Sequence, residues 1–148
     1  MTDNKQSTNG LQSVWIGKWS YRSFYNIADL STDLNSMLLG EGTIRIDETS
    51  SPNQLSGLIY GPGWQLDLTG SINYGDPFTV RFQGKGIISG NLWIYEYLGY
   101  FVNPWQNGVD QVPAFTGSVA RQIPHPGGDG GLHPAGVVGS FFCVKQAD

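Results

Sequence analysis

Charge is scarce in this chain. Asp, Glu, Lys and Arg make up 14% of its 148 residues, where about a quarter is usual for a soluble globular domain. Eight basic residues stand against twelve acidic ones, for a net charge of −4. The Lys and Arg residues are scattered and form no cluster. A nucleic-acid groove needs a basic face to offset phosphate charge, and an anionic membrane surface asks for the same. Neither is expected as a partner. Cysteine is almost missing as well. The lone Cys143 excludes an internal disulfide, and its setting in VVGSFFCV reads as that of a buried, inert thiol. Long apolar runs are absent: none approaches the roughly 18 residues of a membrane-crossing helix. The first ten residues, MTDNKQSTNG, lack the apolar stretch of a secretory leader, so a cytoplasmic location is the expectation. With no apolar anchor they are expected to form a disordered tail. Residues 11–148 are then expected to form one domain, long enough for a substantial core.

Glycine and aromatics are plentiful: 21 Gly, five Trp, seven Tyr and seven Phe. Strands favour aromatic residues and turns favour glycine, so this composition points to an all-β chain. Eight strand-like runs can be drawn, at 13–24, 42–48, 54–61, 64–72, 78–86, 91–102, 114–123 and 135–145. Most alternate: Phe78, Val80 and Phe82 oppose Thr79, Arg81 and Gln83, the period of a strand with two unlike faces. The connections SSPN, GPG, NYGDP and KGIISG are turn chemistry, too short for parallel crossovers, which predicts an antiparallel meander. One segment differs. In 27–40, Ile27, Leu30, Leu34, Met37 and Leu38 recur at helical spacing and Gly40 follows, which predicts a short helix or compact lid after the first strand. Glycines also recur within strands, at Gly57, Gly70, Gly84, Gly99, Gly117 and Gly139. Such glycines suit a sharply bent sheet. The expected fold is therefore an eight-stranded antiparallel up-and-down barrel, with a sandwich as the alternative.

The first strand carries Gly17-Lys18-Trp19. A G-x-W at this point, followed by an eight-stranded meander, resembles the calycin superfamily of lipocalins, fatty-acid-binding proteins and avidins. That resemblance implies that Trp19 packs across a closed end of the barrel with a basic residue of the last strand, Lys145, over it. It further implies an interior cavity for a small apolar ligand, with the 27–40 segment as a lid. The lipocalin T-D-Y motif is missing before the seventh strand, where NGVDQ stands, and no helix is expected after the last strand.

Candidate site residues concentrate in the sixth run, NLWIYEYLGYFV. On a strand, Trp93, Tyr95 and Tyr97 share one face with Gly99, and Leu92, Ile94, Glu96 and Leu98 share the other. Either face suits burial. If the aromatic face points inward, these rings wall a ligand pocket or fill a core. If Glu96 points inward, its carboxylate is desolvated and suits a general acid or base, with Tyr97 as a hydroxyl partner; a salt bridge to Arg81 is the structural alternative. Arg81 and Gln83 would orient a ligand if they faced inward, and are ordinary surface if not. Tyr21 and Tyr25 share the phase of Trp19 and are expected to contact a ligand near the open end. Trp105, in NPWQNGVDQVP, either caps a barrel mouth or folds against the side. His125, His133 and Asp129 lie in PHPGGDGGLHP, but this spacing matches no known metal motif, and neither a metal nor a cofactor is expected. No phosphate-binding loop or hydrolase motif occurs. Three functions follow: binding of a small apolar or aromatic molecule inside the barrel, cofactor-independent cyclisation or isomerisation of a natural-product-like substrate through Glu96 and Tyr97, or an oligomeric structural role with a filled barrel. A homo-oligomer would cover the second face of the sixth strand.

Overall fold

A computed structural model describes residues 11–147; the expected N-terminal tail lies outside them. Eight long strands close into one antiparallel barrel: β1 (Gly17–Tyr25), β2 (Leu38–Ile46), β3 (Gln54–Gly61), β4 (Trp64–Asn73), β5 (Thr79–Ile88), β6 (Asn91–Phe101), β7 (Ala114–Arg121) and β10 (Val138–Lys145). Each pairs with its sequence neighbour among these eight, and β10 returns to β1. Between β7 and β10 the chain adds a small hairpin of β8 (His125–Pro126) and β9 (Leu132–His133), which strand-length periodicity does not detect. No helix among the described residues is long and apolar enough to cross a membrane.

The segment between β1 and β2 is a loop with a single 3-10 turn, Leu34–Met37. Leu30 and Leu34 are exposed, so this turn buries little apolar surface. Leu38 and Leu39 instead open β2, four residues ahead of the predicted start.

Alternation decides the core. Trp19, Tyr21, Ile44, Ile46, Leu55, Ile59, Leu66, Leu68, Val80, Phe82, Tyr97, Phe115, Val119, Phe141 and Cys143 all point into the barrel and are buried. Glycines on this inner phase let strands approach closely. A Cβ on Gly117 would collide with the Leu98 carbonyl, and one on Gly70 with that of Arg81; both obstacles are backbone, which cannot swing away.

One end of the barrel is shut. Residues 11–13 form a helical turn, and Trp15, which the sequence pattern assigns to the first strand, folds beneath the barrel and is fully buried. Its ring meets Phe101 and Phe115, each at 5.4 Å, and its carbonyl accepts the Trp19 indole N–H at 2.8 Å. Trp19 packs edge-on against Phe115 at 4.9 Å. Lys145, opposite Trp19 in the β1–β10 register, sets its Nζ 5.5 Å from the Trp19 ring and donates to the Ile16 carbonyl at 2.9 Å. The 102–113 loop lies at this same end, and Trp105 on it is 80% exposed. Trp105 therefore does not cap the mouth, which is at the opposite end: β6 runs away from the mouth before it reaches that loop.

Candidate functional site

The other end of the barrel is open. The β3–β4 and β5–β6 hairpins, the 26–37 loop and the β8–β9 hairpin stand around it. Below them lies a cavity of about 460 Å³, within the range of about 300–1,000 Å³ common for small-molecule sites. Its wall is aromatic and aliphatic: Tyr21, Leu39, Ile59, Trp64, Leu66, Ile88, Trp93, Tyr95 and Tyr97. Ser23 and the backbone at Gly40 add polar atoms. Here the buried β-branched and aromatic side chains that fill the closed half give way to side chains that stop short of the axis.

The cavity's hydroxyls are linked. The Tyr21 hydroxyl lies beside those of Ser23 and Tyr97, and Ser23 Oγ donates to the Gly40 carbonyl at 3.3 Å. Burial pushes the phenols of Tyr21 and Tyr97 well above their ordinary range. They serve as neutral hydrogen-bonding groups, and Tyr97 is further fixed by stacking on Phe82 at 4.6 Å.

A second polar group sits at the mouth. Arg121 ends β7 on the inner phase set by Phe115 and Val119, and is only 3% exposed. Its Nε donates to the Tyr95 hydroxyl at 2.9 Å, and one terminal nitrogen donates to the Pro134 carbonyl at 3.1 Å. The Tyr95 hydroxyl in turn lies 2.7 Å from His125 Nε2. His125 Nδ1 is 2.9 Å from the Pro126 carbonyl, which can only accept, so Nδ1 carries the proton. Nε2 is then the acceptor and Tyr95 the donor. His125 stacks face to face on Trp93 at 3.7 Å. Burial lowers the His125 pKa below 6.5, and the nearby Arg121 and His133 charges lower it further. Burial raises that of Tyr95, and Arg121 offsets part of the rise. Arg121 itself stays firmly charged: burial opposes its charge, but the Tyr95 and Tyr25 hydroxyls outweigh that effect.

No protein-family model matches this chain. Comparisons with curated proteins and with solved structures likewise found no match.

The predicted residues separate into two faces. Trp93, Tyr95, Tyr97 and Tyr21 line the cavity; Tyr25, half-buried, is not part of its wall, and its hydroxyl neighbours Arg121 behind Tyr95. Glu96 is exposed on the outer face, where it accepts a hydrogen bond from Gln83 at 3.0 Å. Arg81 is exposed on the same face. The expectation that these three reach the interior is thus corrected. On strands with a two-residue period, once Tyr97 and Phe82 point in, Glu96, Arg81 and Gln83 must point out. No Glu96–Arg81 ion pair forms either. His133 Nε2 lies 3.2 Å from Asp129 Oδ1, but no group of three potential ligands among the described residues is arranged to hold a metal ion.

Arg121 is not singled out by the sequence pattern, and His125 enters there only with His133 and Asp129 as a set weighed for metal binding. A signal for Arg121 was present, since it shares the phase of Phe115, Gly117 and Val119. For the pairing of His125 with Tyr95 there is no signal, because its glycine-rich surroundings look like free loop.

Proposed function

We propose that this protein binds a small, largely apolar or aromatic molecule in the open end of its barrel. The observation that carries this reading is the 460 Å³ cavity walled by Tyr21, Trp64, Trp93 and Tyr97. Rigid aromatic walls bury a flat ligand at little entropic cost, and their few polar tips give it an orientation. The calycin likeness points the same way and is supported by the packing of Trp19 and Lys145 at the shut end. A walled space of this volume argues against a barrel whose role is only structural. Native mass spectrometry of protein purified from its source is the test. A co-purifying small molecule at one per chain is expected, and its release by a Leu39→Trp change that fills the cavity. Protein that carries nothing, and whose melting temperature no apolar ligand moves, would sink the reading.

A second reading is cofactor-independent cyclisation or isomerisation in the same cavity. The Tyr95–His125 hydrogen bond favours it, because a phenol already paired with a base can pass a proton to or from a substrate oxygen. Glu96 has no part in it. Under this reading Tyr95→Phe abolishes turnover of the co-purified molecule while its binding persists; unchanged turnover would rule it out. Self-association belongs to the proposal too: Leu92, Tyr100, Val138 and Phe142 on the outer wall are each 38–53% exposed, and light scattering that shows only monomers would remove it.

A further inference from the structure

The mouth of the cavity holds a cation without an anion. Arg121 is buried to 3% exposure, yet among the described residues no carboxylate pairs with it; the ion pairs are Arg45–Asp47 and His133–Asp129. Its partners are neutral oxygens, those of Tyr95, Tyr25 and Pro134. Buried charges in folded proteins are ordinarily paired, because desolvating one alone is expensive. A donor close by is unsatisfied: the Trp93 indole N–H is buried and has no acceptor. Trp93 and Tyr95 both line the cavity, and Arg121 lies directly behind that wall, its Nε on the Tyr95 hydroxyl at 2.9 Å. The cavity wall itself contains no Lys or Arg, and its one acid, Glu41, is solvent-exposed at the rim.

We infer that the cavity's ligand is a small organic acid, an apolar or aromatic body bearing a carboxylate or a similarly delocalised oxyanion, whose acidic group is held at the mouth by Arg121 with the Tyr25 hydroxyl beside it. This rests on the cavity being a binding site, and adds the charge of what binds. A guanidinium suits the task, since its planar fork matches a carboxylate and its charge persists at any physiological pH. The aromatic body lies against Trp64, Trp93 and Tyr97, while the acid displaces the weaker neutral contacts of Arg121. Neutral His125 contributes by holding Tyr95 in place without adding a second positive charge.

Two isosteric probes test this, 2-naphthoate and 2-naphthamide, titrated against the whole protein at about pH 7.5. The carboxylate is expected to bind roughly tenfold or more tightly than the amide, as charge-assisted hydrogen bonds outweigh neutral ones. In Arg121→Gln the preference should shrink to within about twofold, with the amide's affinity kept. Equal binding of the two probes to the unmodified protein would overturn the inference while leaving the cavity reading intact. So would a preference that survives Arg121→Gln. If neither probe binds, both readings fall. A measurement without substitution guards against a misfolded variant: the Arg121 Nε–H resonance of the native protein should move with naphthoate and stay with naphthamide. An unmoved resonance with bound naphthoate would equally overturn the assignment.

Discussion

At the scale of single residues, His125 carries the clearest pH dependence. Burial, then Arg121 and His133, hold its pKa below the ordinary 6.5. Below about 6.5 the unfolded chain therefore takes up a proton that the folded one resists. Stability is full above the unfolded value and is lost as pH falls through it toward the lower folded value. Protonation of Nε2 also removes the acceptor of the Tyr95 hydroxyl. The melting temperature is expected to drop more steeply between about pH 7.5 and 5.5 in the native protein than in His125→Gln; parallel curves would contradict this. Glu96 makes the opposite case. Exposed, and paired only with Gln83, it should tolerate Glu96→Gln within about 0.5 kcal/mol, as surface positions do, and with unchanged ligand affinity. Trp19, wholly buried between Trp15 and Phe115, should cost roughly 3–5 kcal/mol on change to Ala, as large aromatic deletions do, measured by denaturant unfolding.

At the scale of elements, the barrel depends on where strands cross closely. Gly117 faces Gly99 across the β6–β7 pair, and any Cβ there meets the Leu98 carbonyl. Gly117→Ala is therefore expected to destabilise by about 1–3 kcal/mol, the usual cost of overpacking. An increase in stability would show that the strands can part. Strand positions were legible because alternation and turn residues agree, as in β5, where Val80 and Phe82 oppose Arg81 and Gln83. The phase of β6 was not, because Leu92, Ile94 and Leu98 look as buriable as Trp93, Tyr95 and Tyr97. What breaks the tie is tertiary: the aromatic phase also contains Gly99, where a Cβ would press on Val80, Phe115 and Phe141. The 27–40 segment was legible as a short helix or compact lid, and it forms a loop with one 3-10 turn, Leu34–Met37; the turn stays short because Leu38 and Leu39 are drawn into β2. The β8–β9 hairpin is only two residues deep on each side, below the length at which periodicity can register. So the site's aromatic wall was visible in the sequence, and the Arg121–Tyr95–His125 chain at its edge required the fold.

The whole molecule is a barrel with unlike ends. One is plugged by Trp15, Trp19, Phe101 and Phe115, which supply rigidity; the other keeps a space lined by rings and edged by a buried cation. A shut end also means that a ligand has one way in, past the loops around the mouth. The outer groove of Arg81, Gln83 and Glu96, about 400 Å³, competes on size alone, but it is open to solvent and lies on the opposite side of the sheet. Chemical-shift mapping during titration with the neutral probe 2-naphthamide separates the two most directly. Perturbations are expected at Tyr21, Leu39, Ile59, Trp64, Ile88 and Trp93, with Arg81, Gln83 and Glu96 unmoved; shifts confined to the outer groove, or none at saturating probe, would contradict an interior binding site.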